Sequence, residues 1–148
     1  MEAGRHMNRN SIVLLERQPS VEEFISLWQA VGWGHADSGM IQNSIAQSRY
    51  AVVAELDGKA VGMGRIVGDG VMYFYIQDVA VHPDHQGQGI GKMIMDILLG
   101  YVRQSKMDSG IAFAGLFAAE GKETFYEKFG LRNHAPGMTG MFTVFEAK

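Results

Sequence analysis

The chain contains no cysteine. That excludes disulfides, thiolate nucleophiles and Cys-ligated metal, and it fits the reducing cytoplasm, the expected location. Positive charge is not in surplus either. The formal net charge is −3, so broad attraction to nucleic acid or to an anionic membrane is not expected. No run approaches ~18 uninterrupted apolar residues, which argues against a membrane-spanning helix. No His/Asp/Glu cluster has metal-ligand spacing, so no metal is expected. Internal repeats, linkers and low-complexity segments are absent. The opening residues 1–6 lack an apolar signal core. With the second start-like Met7 behind them they read as an expression-vector remnant, and 7–148 reads as one domain.

What is present points to a globular α/β protein. The length of 148 residues suffices for a real core, and the 47% hydrophobic and 20% charged fractions are ordinary. Residues 12–17 read as a strand. Ser20 followed by Glu23 forms a capping box that opens a helix with Val21, Phe24, Ile25, Leu27 and Trp28 on its apolar face. Asp37 or Ser38 caps a second helix carrying Ile41 and Ile45. Residues 49–56 and 60–67 form strands joined by Asp57-Gly58, a strong hairpin signal. After a turn at 68–70, residues 71–81 complete an antiparallel meander. His82-Pro83 stops that strand. A long helix follows from about Gly89, with Ile90, Ile94, Ile97, Leu98, Tyr101 and Val102 at helical spacing. Asp108-Ser109-Gly110 ends it. The apolar run 111–117 reads as a buried strand, 122–129 as a short helix closed by Gly130, and 141–145 as a last strand. The order β-α-α-β-β-β-α-β-α-β implies a mixed sheet flanked by helices.

The most informative stretch is Gln86-Gly87-Gln88-Gly89-Ile90-Gly91, between the meander and the long helix. Glycine lets backbone approach a ligand closely and adopt positive φ. The helix start adds unpaired N–H groups and the positive end of its dipole, a site for phosphate or pyrophosphate. The alternative is a plain tight turn. A dinucleotide fingerprint would need G-x-G-x-x-G after the first strand of a parallel unit. A P-loop would need G-x-x-x-x-G-K-[ST], which Gly91-Lys92-Met93 does not supply.

Gln86-x-x-Gly89-x-Gly91, after Ile76-Gln77-Asp78-Val79-Ala80-Val81-His82-Pro83, resembles the acyl-CoA-binding signature of the GNAT family of N-acetyltransferases. Phe125-Tyr126-Glu127-Lys128-Phe129-Gly130-Leu131 is similar to that family's second signature. Nearly all of 7–148 follows the family's element order. The resemblance implies a mixed, mostly antiparallel sheet flanked by helices, with a β-bulge near 77–79 splaying a strand pair that binds acyl-CoA. It implies acetyl-CoA as cosubstrate, with pyrophosphate held by N–H groups across Gln86, Gly87, Gln88, Gly89, Ile90, Gly91 and Lys92. The pantetheine arm would run beside Val79, Ala80 and Val81, and the Val79 N–H would polarise the thioester carbonyl. One departure stands out: Ala119 occupies a position where the family often has an asparagine that holds the pantetheine amide.

Direct transfer needs a neutral amine, a polarised carbonyl and a protonated leaving thiolate. By family position Tyr126 is the expected acid, against an ordinary helix tyrosine. For the base, Asp78 either relays the ammonium proton or bonds backbone opened by the bulge. Glu22 and Glu23 lie on the first helix, where Glu23 reads as a cap residue. His35 is either a base or a solvated loop histidine, His82 and His85 read as structural, and His134 faces either pocket or solvent. Lys92 and Lys128 either pair with outer phosphates of the cofactor or stay solvated. Trp33, His35 and Asp78 are the expected acceptor contacts. Phe74, Tyr75, Met138 and Met141 either add apolar wall or fill the core.

The resulting expectation is an acetyl-CoA-dependent N-acetyltransferase acting on a small primary amine, aromatic or apolar. The alternatives are a non-catalytic acyl-CoA-binding regulatory module and a protein lysine or N-terminal acetyltransferase. A homodimer through the late strands, 131–145, is a further expectation from the resemblance.

Overall fold

The computed structural model describes residues 5–7 and 11–147. It forms two compact units, Met1–Gly115 and Leu116–Lys148. The first unit holds β1 (Arg5–Met7), β2 (Ile12–Leu15), α1 (Val21–Ala30), α2 (Ser38–Ala46), β3 (Tyr50–Leu56), β4 (Lys59–Val67), β5 (Tyr73–Val81), a 3-10 turn (Pro83–His85), α3 (Ile90–Ser105) and β6 (Phe113–Gly115). The second holds one short helix, α4 (Glu123–Glu127), among its described residues.

The six strands lie side by side in chain order. β1 to β5 pair antiparallel and β6 joins β5 in parallel, so the mixed, mostly antiparallel sheet that was expected is present. Arg5 and His6, set outside the fold by the sequence reading, pair in β1. The β3–β4 hairpin turns through Asp57 and Gly58 at φ 52 and 76, the positive pair that a type I′ turn requires.

Two cores sandwich the sheet in this unit. Alternation along β4 sends Gly62 and Gly64 to one face and Met63 to the other. A Cβ on Gly64 would lie 2.8 Å from Ile94 Cγ2 and 3.0 Å from Leu98 Cδ1. The missing side chain thus lets α3 bury Ile90, Ile94, Met95, Leu98, Leu99 and Val102 against the strands. On the opposite face Met63 and Ala80 pack with Phe24 and Leu27 of α1 and Ile41 and Ile45 of α2.

The capping box is present as expected. The Ser20 hydroxyl accepts from the Glu23 N–H at 3.1 Å, and the Glu23 carboxylate accepts from the Ser20 N–H at 2.8 Å. Arg17 donates to both Glu23 and Glu55, at 2.8 and 2.9 Å, tying the start of α1 to β3. The Arg17 guanidinium, with the Ser20 N–H behind it, holds the Glu23 carboxyl below its usual range. A depressed carboxylate stabilises the fold above its unfolded pKa and loses that contribution as pH falls through the folded value. We therefore expect acid to weaken wild type once pH drops below 4.5, the ordinary value for this group. Glu23→Gln should melt lower at neutral pH but lose less between about pH 5 and 3, read by calorimetric melting.

One expected strand is cut short and another does not form. Of 111–117 only Phe113–Gly115 pairs, and Ile111 and Phe117 are 89% and 75% exposed rather than buried. The neighbouring strand pairs with it only at Tyr73, Phe74 and Tyr75, and an apolar run without a longer partner cannot stay extended and buried. Residues 141–145 are irregular, with Met141, Phe142, Val144 and Phe145 all exposed. They have β propensity but no strand partner among the described residues. The expected helix over 122–129 shortens to Glu123–Glu127 and closes at Gly130, φ 88, with Phe125 and Phe129 in ring contact at 5.2 Å.

Candidate active site

The register of β4 against β5 locates the irregularity in the sheet. Met63 faces Ala80 and Arg65 faces Gln77, so the single residue Gly64 opposes both Asp78 and Val79. This is a β-bulge, at the place the sequence pointed to. Asp78 takes φ 55 there, a left-handed conformation that a non-glycine residue adopts only when its surroundings hold it. The β5–β6 pairing ends at Tyr75 and Gly115. From 76 to 81 the β6-side edge of β5 has no strand partner among the described residues of this unit, and this is the stretch that carries the bulge.

The turn that follows is built by local bonds. The Asp84 N–H donates to His82 Nδ1 at 3.1 Å, and the His85 N–H to the His82 carbonyl at 2.8 Å, so His82 has the structural role expected of it. Gln86 Nε2 donates to the Val81 carbonyl at 3.0 Å, fastening the turn to the end of β5. Gly87 and Gly89 sit at φ 80 and 83, and a Cβ on either would meet nothing within 4 Å. Their conformation favours glycine, while the space beside them is open. Gly89 is the N-cap of α3 and offers no side-chain cap. The N–H groups of Ile90, Gly91 and Lys92 therefore have no intrahelical acceptor. They point along the positive end of a 16-residue helix, which favours an anionic ligand.

Other expected site residues fall elsewhere. Lys92 donates to Asp96 at 2.8 Å, one turn along α3. The Asp78 carboxylate accepts from Arg65 Nε at 2.7 Å. Trp33 lies edge-on to Trp28 at 5.1 Å and is 39% exposed; His35 beside it is exposed. Asp37 caps α2 by accepting from the Met40 N–H at 2.8 Å. Phe74 is fully buried and belongs to the core, whereas Tyr75 is exposed in a ring cluster with Tyr73 and Phe113 at 6.1–6.3 Å. In the second unit Tyr126 is half-buried, packs against Phe125 at 5.0 Å, and has its hydroxyl pKa pushed up by burial. Lys128 is exposed at the end of α4, and Met138 and Met141 are exposed as well.

Sequence reasoning missed Arg65 and its partners Ser44 and Ser48. The signal was a cation inside the otherwise apolar strand 60–67. A fuller cleft of ≈ 560 Å³ opens beside these residues, lined by Ser44, Ser48, Arg49 and Arg65, away from the glycine turn. Among the described residues no group of three metal-ligating side chains comes together, and no helix is long and apolar enough to cross a membrane.

Residues 47–132 match the family model of the acetyltransferase (GNAT) domain. That span contains the β3–β4 hairpin, the bulge, the glycine turn and α3, and the chain belongs to the GNAT acetyltransferase family. It is 37% identical over 112 residues to an uncharacterised ycf52-like N-acetyltransferase of Prochlorococcus marinus, covering 73% of this chain and 60% of the relative. The chain thus spans less than two thirds of that relative's length. A probable acetyltransferase of unknown function from meticillin-resistant Staphylococcus aureus superposes with a TM-score of 0.83 at 25% identity, covering 90% of this chain and 99% of its own. A GNAT family acetyltransferase from Brucella melitensis, solved in complex with acetyl-CoA, shares the fold with a TM-score of 0.62 at 18% identity, over 85% of this chain and 86% of its own.

Proposed function

We propose that this chain transfers an acetyl group from acetyl-CoA directly to a small primary amine. The observation that carries the reading is the start of α3: unpaired N–H groups of Ile90, Gly91 and Lys92 beside left-handed glycines with open space over them. Such a cradle fits a pyrophosphate. Bound there, acetyl-CoA supplies an activated thioester with a thiol leaving group. The chain's own part begins with Gln86, which holds the turn against Val81. The bulge at Asp78 and Val79 interrupts β5 along its open edge, where the Val79 N–H serves as a donor to an acyl oxygen, a contact that strengthens as negative charge develops. For the acceptor, the exposed rings of Tyr73, Tyr75 and Phe113 suit an aromatic or apolar amine.

The test is calorimetric titration with acetyl-CoA and free CoA, followed by an amine panel in which thiol release is monitored. Tight cofactor binding with amine-dependent release supports the reading. Binding without release from any amine would replace it with an acyl-CoA-binding regulatory module, and release with peptides alone would replace it with a protein acetyltransferase. Tyr126 takes the acid's role from the family resemblance. Burial pushes its hydroxyl pKa up. Tyr126→Phe should then lower kcat by about 100-fold, the lower end of general acid catalysis, with little change in acetyl-CoA affinity. An unchanged kcat would remove Tyr126 from the mechanism.

A further inference from the structure

We infer that Asp78 is a positioning residue rather than the base, and that Arg65 and Asp78 form a latch that holds the bulge open and aims the Val79 N–H. The inference rests on the acyl-transfer reading for its catalytic consequence, but its structural part stands apart from it.

Three observations meet at this point. Asp78 is a non-glycine residue at φ 55, in the one place where β5 has two residues against one of β4. A left-handed residue at a bulge is ordinarily glycine, because a Cβ there crowds the following carbonyl. Aspartate tolerates this conformation better than most residues, at a cost that a contact across the sheet offsets here. Its carboxylate accepts from Arg65 Nε at 2.7 Å, and the two side chains are only 14% and 11% exposed. Nor is Arg65 free to swing. Nη1 donates to the Ser44 carbonyl and to Ser48 Oγ, both at 3.0 Å, and Nη2 to Ser44 Oγ at 2.9 Å. The guanidinium is thus bolted to the last turn of α2, and the bulge is bolted to the guanidinium.

This geometry commits the carboxylate: it accepts a charge-assisted hydrogen bond from an arginine whose other nitrogens are held by Ser44 and Ser48. The pair acts on the next residue. Ile76 lies on the α3 side of the sheet with Phe74 and is buried there, and a Cβ on Gly64, which faces α3, would lie 3.4 Å from Val79 Cγ2. Gln77 and Asp78 occupy the interval between them, and the two-for-one step at Asp78 returns Val79 to that side. Collapse of the bulge would shift the register by one residue and turn Val79 to the other face.

The experiment uses substitutions at Asp78 and Arg65 in the full chain. Each variant is measured by calorimetric melting, by the Val79 amide resonance of the ligand-free protein, and by kcat, KM and the pH profile with the best amine. Glycine adopts the left-handed conformation unaided, so Asp78→Gly should shift the Val79 resonance only by the small amount that a changed neighbour imposes and hold kcat within about fivefold of wild type. Asp78→Ala loses the latch but keeps a Cβ; its Val79 resonance should move or broaden and kcat fall at least about 30-fold. Arg65→Gln should behave like Asp78→Ala in the native background, yet cost little in the Asp78→Gly background, where the bulge no longer depends on the latch. KM for the amine should change far less than kcat, and the acidic limb of the pH profile should persist in Asp78→Gly. Equal inactivation by glycine and alanine with loss of that limb would overturn the inference and make the carboxylate the base. An unmoved Val79 resonance across the whole series would overturn it too. If wild type binds no acetyl-CoA, the function falls while the resonance and melting series still decide the latch.

Discussion

Gly89→Asp is expected to lower acetyl-CoA affinity at least 100-fold while the protein stays folded. Gly89 sits at φ 83 as the N-cap of α3, and a Cβ there meets nothing within 4 Å. The new Cβ therefore meets no atom of the chain. Aspartate tolerates the left-handed region better than most residues, and a carboxylate beside a helix N-terminus is favourable by about 0.3–1 kcal/mol. Those terms offset part of a left-handed backbone cost of about 1–2 kcal/mol. The melting temperature should therefore move by only a few degrees, since about 1 kcal/mol corresponds to about 2–4 °C in a chain of this size. Binding suffers in full, because the carboxylate fills the open space beside the N–H groups and repels the pyrophosphate. A 100-fold loss corresponds to about 2.7 kcal/mol. Gly89→Ala separates the two effects: it carries the backbone cost without the charge, so its affinity should lie between those of wild type and Gly89→Asp. Titration calorimetry and melting on the same samples decide it. Equal affinity for wild type and Gly89→Asp would mean that this turn does not hold the cofactor.

Phe74→Ala is expected to cost about 3–5 kcal/mol of stability, through lost burial and the cavity left behind. Phe74 is fully buried and lies edge-on to Tyr101 at 6.3 Å, between β5 and α3. The melting temperature should fall by roughly 10–15 °C. Its neighbour Tyr75 provides the contrast. It points to the opposite face of the same strand, is 39% exposed, and touches only Tyr73 and Phe113 among the rings. Tyr75→Ala should lower the melting temperature much less than Phe74→Ala, because removing a ring at the surface leaves no enclosed cavity, and should instead raise KM for an aromatic amine. A reversed pattern, with Phe74→Ala stable and altered in KM, would return Phe74 to the acceptor wall.

These two neighbours show where the sequence speaks and where it falls silent. Alternation guaranteed that Phe74 and Tyr75 face opposite ways, but not which face α3 would cover. The same holds for the apolar run 111–117. Its composition suits a buried strand, yet only Phe113–Gly115 finds a partner because the pairing face of β5 ends at Tyr75. Residues 141–145 carry strand-forming side chains and have no strand partner among the described residues.

Signals that close within a few residues were legible in the sequence alone. The Ser20–Glu23 box, the Asp37 cap, the Asp57-Gly58 turn, the His82-Pro83 stop and the left-handed glycines before α3 all stand where local chemistry puts them, because each bond joins atoms only a few residues apart. The glycine turn and the strand before it were also enough to indicate the family. What tertiary structure alone decided is the setting of Asp78. Its left-handed backbone depends on Arg65, 13 residues away, and Arg65 depends on Ser44, 21 residues further back. A contact across strands and helices leaves no local pattern. The cation at 65 and the carboxylate at 78 become a latch only when β4, β5 and α2 meet.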